Sequence, residues 1–360
     1  MDDSGWREIM YGCERWLAVQ RPRTAAEILH AAADALPVDG RPDAYGEGAI
    51  VEEIEARVAQ LLTCEAAVVM PTGTMAQQIA LRIHAEQRGL RTVAFHPTCH
   101  LELHERGGYA QLHGLAAELV GQPDQLISLS DLEQVHVGLA ALLLELPQRE
   151  IGGRLPEWDD LVAQTDWARE RAIALHLDGA RLWEAAPYYG RAPGEVAALF
   201  DTIYVSLYKG LGGFAGCLLA GSSQTIAQAR VWRRRHGGTL YGLFPLVASA
   251  LDGLQRRVER MGEFLGHARA LADALRDLPG IDVVPDPPQT ALLHLHLHGD
   301  CERIWERMLE IAGDRRVWLG HRPAPTVVAG VCRLELHLGE AALEIGAVEA
   351  AELFAAAVER

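Results

Sequence analysis

The sequence predicts an open α/β domain on a mostly parallel sheet with helices on both faces, followed by a smaller α+β C-terminal domain. Three observations predict it. Between about residue 50 and residue 221, short apolar runs ending at turn residues alternate with stretches of helical periodicity. After residue 256 the pattern changes to a long amphipathic stretch, RRVERMGEFLGHARALADALRDL, and then short alternating strands. Finally, 360 residues suffice for two domains at ~100–200 residues each. The expected division is an irregular N-terminal segment over 1–48, a large domain over 49–255 and a small domain over 256–360.

The elements follow in order. The first segment carries Pro22, Pro37 and Pro42 and has room for a short helix near 24–36. IVEEIEARVAQLL (50–62) places apolar side chains at helical spacing. AAVVM (66–70) reads as a buried strand, PTGT as a turn and MAQQIALRIHAEQRG as a helix. TVAF (92–95) and LAALLLEL (139–146) read as strands, and DWARERA as a helix leading into the strand IALHLD, which ends at Asp178. DTIYVS and GCLLAG are strands on either side of a glycine-rich loop. In the small domain IDVVP, TALLHLHLH and CRLELHL read as strands, with helices at 301–312 and 340–358.

Composition excludes several function classes. With 33 basic and 49 acidic residues the net charge is −16, which repels a phosphate backbone, so no nucleic-acid partner is expected. No apolar run approaches the ~18–20 residues that span a bilayer, and the acidic opening MDDSGWREIMYG has no apolar core of a signal peptide. Six cysteines contain no CxxC pair, which argues against a zinc ribbon, a thioredoxin-type motif or a secreted disulfide scaffold. A soluble cytoplasmic protein with no membrane partner is the expectation.

One detail of composition carries chemistry. The 33 basic residues are 32 Arg and one Lys, Lys209, and the chain has no Asn. Arginine can serve any generic cationic role, but it does not give up its proton to attack a carbonyl. Lys209 sits in TIYVSLYKGLGGFAGCLLAG, an apolar, glycine-rich stretch where a desolvated amine has a lowered pKa and can form a Schiff base. Two further features fall at expected strand ends, where ligands of open α/β sheets bind. Met70-Pro71-Thr72-Gly73-Thr74 is a strand-to-helix turn whose N–H groups and Thr74 hydroxyl suit a phosphate. Asp178 closes an apolar strand, where it can pair with Arg181 or hold a cationic ring nitrogen. A phosphate cradle, a pyridinium-pairing aspartate and a Schiff-base lysine together specify pyridoxal 5'-phosphate.

Other clusters carry blander readings. His96, His100 and His104 have a spacing that metal sites use, but no further ligand is arranged around them, and no metal is expected. His294, His296 and His298 alternate along one strand and read as a polar sheet face. RVWRRRH (230–236) reads as a solvated helix face or a phosphate contact, and Trp158, Trp167 and Trp183 as core or interface packing.

YGEG (45–48), MPTGTMAQ (70–77), HLDGARLW (176–183) and SLYKGLGG (206–213) resemble the threonine aldolase and aromatic amino acid β-eliminating lyase family. The likeness runs from about Tyr45 to Gly253 and more thinly beyond. It implies a fold-type-I, aminotransferase-like pyridoxal phosphate enzyme whose large domain binds the cofactor. It also implies a homodimer or homotetramer with active sites at the subunit interface. By this resemblance Lys209 carries the cofactor and Asp178 pairs with its ring nitrogen. Arg181 lies near the phenolic oxygen, Gly73, Thr74 and Ser206 belong to the cofactor site, and His100 stacks on the ring. Arg333, in VCRLELHL, takes the substrate carboxylate. Gln148, in ELPQREIGGRLP, stands where the family has a histidine, and Tyr241, in HGGTLYG, where it has an arginine; both are placed at the substrate. Tyr208 replaces the usual serine before the lysine, and CERWLAVQRPRT replaces a DxRSDT-like block. These departures mark a divergent branch.

The expected reaction is cleavage of the Cα–Cβ bond of a small-molecule β-hydroxy-α-amino acid, giving glycine and an aldehyde. Glutamine cannot act as a general base, which moves that role to His100, with Tyr208 or Tyr241 as alternatives. The competing expectations are β-elimination to ammonia and a keto acid, other chemistry from the Cα carbanion, and a non-catalytic cofactor-binding protein.

Overall fold

The computed structural model describes residues 5–37 and 40–359. The first four residues of the acidic opening, and 38–39 within the lead-in, lie outside them. The chain forms two compact units. One comprises Ala25–Glu150 and Leu155–Val258; the other comprises the residues up to Thr24, Ile151–Arg154 and the residues from Glu259 onward. The lead-in expected as one segment is thus shared between them.

The larger unit holds a seven-stranded sheet: β1 (Ala66–Met70), β2 (Thr92–Phe95), β3 (Ala116–Leu119), β4 (Ala141–Glu145), β5 (Ala174–Gly179), β6 (Thr202–Ser206) and β7 (Cys217–Gly221). Their order is β1-β7-β6-β5-β4-β2-β3, and β7 alone among them runs antiparallel to its neighbours. Every residue of β6 and β7 is buried, so both faces of the sheet are covered. On one face, Val68, Met70, Tyr204 and Leu219 pack against Ile79, Ala80 and Ile83 of helix Gly73–Arg88 and Ile226 and Ala229 of helix Ser223–Arg235. Helix Gly73–Arg88 starts at an N-cap, Thr72, whose side chain accepts from Met75 N, worth about 1 kcal/mol. It ends at Gly89 in the left-handed region (φ 67°), which glycine adopts without strain. The expected large-domain strands are all present. β3 was not expected, because its exposed and half-buried residues give no apolar run.

The smaller unit holds an antiparallel sheet of β8 (Ile281–Val284), β9 (Leu292–His298), β10 (Ala324–Pro325) and β11 (Val331–His337), in the order β10-β11-β9-β8. Leu293, Leu295, Leu297, Cys332, Leu334 and Leu336 turn one face into its core, with Met308 and Phe354 from its helices. The single long helix expected after residue 256 is instead interrupted: Phe244–Arg256 ends, a 3-10 turn covers Val258–Arg260, and Met261–Leu275 follows. A disulfide joins Cys301 and Cys332, 31 residues apart, and Cys13, Cys64, Cys99 and Cys217 are free thiols. No helix among the described residues is long and apolar enough to cross a membrane.

Candidate active site

A cavity of about 280 Å³ opens at the C-terminal ends of the central parallel strands, as expected for an open α/β sheet. Pro71, Thr72, Gly73, Thr74 and Gln77 line one side. His100, Asp178, Tyr204, Tyr208 and Lys209 line it as well, with Phe214, Ala215 and Gly216 beside them. Lys209, Asp178, His100, Gly73 and Thr74, distant in sequence, therefore meet in one place.

Local structure accounts for each of them. Gly73 opens its helix against Tyr204: a Cβ there would lie 2.4 Å from the tyrosine oxygen, so only glycine leaves the first-turn N–H groups this close to the cavity. Asp178 ends β5 and is buried; its Oδ1 accepts from Ala180 N at 3.1 Å and its Oδ2 from Gln77 Nε2 at 2.8 Å. Both oxygens are held, which fixes the direction in which the carboxylate faces. The amide oxygen of Gln77 has no hydrogen-bond partner, although it is buried.

The lysine loop leaves β6 through Ser206, whose hydroxyl accepts from Tyr208 N at 3.2 Å and Lys209 N at 3.3 Å. Behind the loop, helix Phe244–Arg256 approaches so closely that a Cβ on Gly253 would lie 1.8 Å from Leu211 O. The loop is thus seated on rigid structure. Burial lowers the pKa of Lys209, and the Arg181 guanidinium lowers it further, against the opposing pull of Asp178 and Glu145. Arg181 is buried with its Nε unpartnered.

His100 begins the short helix His100–His104. Its Nδ1 lies 3.1 Å from Oε1 of the buried Glu105, whose Oε2 accepts from Gln78 Nε2 at 2.8 Å. A carboxylate at Nδ1 selects the tautomer that leaves Nε2 as the basic nitrogen. His100 is the one imidazole among the described lining residues.

The remaining predicted residues are not among those that line the cavity. Gln148 is buried outside the cavity lining and donates to Thr98 Oγ1 at 3.2 Å. Tyr241 is 74% exposed and lies edge-on to Tyr45, with ring centroids 5.4 Å apart, also outside the lining. Arg333 belongs to the smaller unit, on β11 in register with His296. His96 is consumed internally: its ring nitrogens face Gln122 O, Gln125 O and the hydroxyl and N–H of Thr98. Among the described residues no group of three or more His, Cys, Asp or Glu is arranged to hold a metal ion. The basic run is not a free patch either, since Arg230 pairs with Glu55 and the buried Arg233 donates to Val69 O at 2.8 Å. Sequence reasoning missed Gln77, which lies one helical turn after Gly73 and so shares its face, and it missed Glu105 and Glu145.

The donor set fits pyridoxal phosphate. Helix N–H groups would hold its phosphate, a doubly anchored carboxylate would face its ring nitrogen, and an amine of lowered pKa would face its carbonyl carbon. Fold and site thus define a fold-type-I pyridoxal phosphate enzyme. A family model, Beta-eliminating lyase, matches residues 23–298. A low specificity L-threonine aldolase of Escherichia coli (strain K12) is 32% identical over 249 residues, covering 67% of this chain and 73% of that protein. A solved structure assigned as an aromatic amino acid beta-eliminating lyase/threonine aldolase from Exiguobacterium sp. 255-15 is 39% identical with a TM-score of 0.92, covering 98% of both chains. Another, assigned as an L-allo-threonine aldolase from Listeria monocytogenes EGD-E, is 36% identical with a TM-score of 0.92, covering 99% of both. The chain belongs to the beta-eliminating lyase family.

Proposed function

We propose that this protein is a pyridoxal-phosphate-dependent aldehyde-lyase of the threonine aldolase kind, cleaving the Cα–Cβ bond of a β-hydroxy-α-amino acid to glycine and an aldehyde. The observation that carries this reading is the meeting of Lys209, Asp178 and His100 with the Gly73–Thr74 turn in one cavity. The cofactor, when bound, withdraws electrons from the Cα of an attached amino acid and so weakens the bonds to it. The chain supplies the rest. Gly73 and Thr74 hold the phosphate at a helix N-terminus. Asp178, fixed by Ala180 N and Gln77, orients the ring by its nitrogen. Lys209, its pKa lowered by burial and by Arg181, offers the amine. His100, backed by Glu105, takes the proton of the substrate β-hydroxyl at Nε2. Gln148, turned toward Thr98, leaves that task to His100.

Product analysis tests this, with purified holoenzyme and a panel of threonine, allo-threonine, phenylserine and serine in both configurations. Glycine with the matching aldehyde is the expected outcome. Lys209→Ala is the blank, and His100→Ala should retain cofactor while losing roughly a hundredfold or more in turnover. Ammonia and a keto acid without glycine would move the protein to β-elimination; a fully active His100→Ala would remove the histidine from the mechanism.

The same reading includes a homodimer or homotetramer with the cavity at a subunit interface. Its support is the exposed Tyr208 and Phe214 among the lining residues. Light scattering should return a multiple of 39.3 kDa, and a monomer would overturn it. A cytoplasmic location belongs to the same reading, with the four free thiols for it and the Cys301–Cys332 disulfide against it, and cell fractionation is its check.

A further inference from the structure

Glu145 has no part in the chemistry above, yet its surroundings are those of a working group. It ends β4 directly in register with Asp178 at the end of β5. Its Oε2 accepts from His100 N at 3.3 Å and its Oε1 from Arg149 N at 3.2 Å. One carboxyl thus ties the turn that carries His100 to the strand next to Asp178. Two carboxylates side by side with little water between them oppose each other's ionisation unless cations compensate. Lys209 is the cation acting on Glu145, and its own charge is weakened by burial and by Arg181. Weakening that charge leaves the pair with less positive compensation.

We propose that Glu145 is a positioning residue of this site: it seats His100 through the backbone and, beside Asp178 at the neighbouring strand end, sets the charge next to the carboxylate that faces the cofactor ring. The inference rests on pyridoxal phosphate being the cofactor. The groups acting on Glu145 are Asp178 from β5, Lys209 from the loop after β6, and the N–H groups of His100 and Arg149. Burial and the Asp178 charge push its carboxyl up to about 7, ahead of the opposing pull of Lys209 and the two N–H groups. Near neutrality the charge beside Asp178 thus changes.

The test compares holoenzyme of wild type and Glu145→Gln. Cofactor absorbance is titrated across about two pH units on either side of neutrality. The wild type should show a spectral step near pH 7. Glu145→Gln, which cannot ionise and can accept only one of the two N–H bonds, should lack the step. Its kcat should fall roughly tenfold or more, with KM within about threefold, because geometry is lost and not substrate binding. The same step at the same pH in Glu145→Gln, or an unchanged kcat, overturns the proposal. If Glu145→Gln does not load cofactor, Glu145→Asp decides: a shifted midpoint supports the proposal and an unmoved one overturns it. A wild type that shows no cofactor absorbance at all overturns the reading beneath, not this inference alone.

Discussion

Two polar centres lie two residues apart on the same strand and the same face of β5. At His176, Nδ1 meets the Thr202 hydroxyl of β6 at 2.8 Å, and His84 Nε2 meets the same hydroxyl at 2.8 Å from helix Gly73–Arg88. All three residues are buried, and the packing around them leaves no cavity lining. At Asp178, one register step along, the partners are Gln77, Ala180 N and, across the strands, Glu145, and the group faces an open cavity. The difference is in where the partners stop. Threonine joins two imidazoles in packed surroundings where His176 Nε2 is left unpartnered with no cavity beside it, whereas the aspartate end keeps an unpartnered Gln77 oxygen and an amine of lowered pKa beside an open cavity. Buried polar groups closed in by packing mark structure; buried polar groups that open onto a cavity mark a site.

The largest effect that can break this comparison comes from Thr202→Val, which keeps shape and deletes the shared hydroxyl. Two buried imidazole nitrogens lose their partner, at roughly 1–3 kcal/mol each, so urea unfolding should report a loss of about 2–6 kcal/mol. Cofactor loading at the far end of the strand should be unchanged in the molecules that remain folded. Equal losses of stability and loading would mean that the two centres are one.

A smaller and sharper effect is the pH dependence of stability. Burial lowers His176 to about 3, and it lowers His84 as well, with His84 adding its charge against His176. The folded state therefore binds fewer protons than the unfolded chain below about pH 6.5, and this stability, complete above that pH, is lost as pH falls, at about 1.4 kcal/mol per unit for each imidazole. Glu145 works in the opposite sense. Its folded pKa of about 7 lies above the unfolded value of 4.5, so its contribution is present at low pH and is lost as pH rises through that interval. Between about pH 5 and pH 6 the two ends partly cancel. Removing the acid with Glu145→Gln should steepen the acid-side loss by about 1.4 kcal/mol per pH unit, read by denaturant unfolding at several pH values. Parallel stability curves for the two proteins would deny the opposition.

Much of the site was legible because open sheets place chemistry at strand ends and because this chain has one lysine. Asp178, Lys209, Gly73 and Thr74 follow from that logic and His100 from the family likeness, and all five line the cavity. Glu145 carries the same signature as Asp178, a carboxylate closing an apolar run (ALLLE beside ALHLD). The likeness of ELPQRE to a family block points instead to Gln148, three residues further on. Tyr241 was placed at the substrate by the same likeness, and the fold turns it to solvent. The break in the long helix after residue 256 has no Pro or Gly to announce it, and the Cys301–Cys332 bond joins a helix start to a strand that only tertiary folding brings together. Local patterns reveal what a residue can do; which neighbours surround it is decided by contacts far apart in sequence.

The solitary Lys209 also gives the protein an unusual analytical property. Arginine supplies every other side-chain cation of its kind, so a reagent selective for ε-amines, or a protease that cuts only after lysine, addresses a single position in the whole side-chain complement. That position is half-buried on a loop whose Leu211 is seated against Gly253 of the helix behind it. Labelling yield and cleavage rate at this one bond would therefore be direct reporters of how often the loop opens and whether its amine is engaged, with no background from a second lysine to subtract.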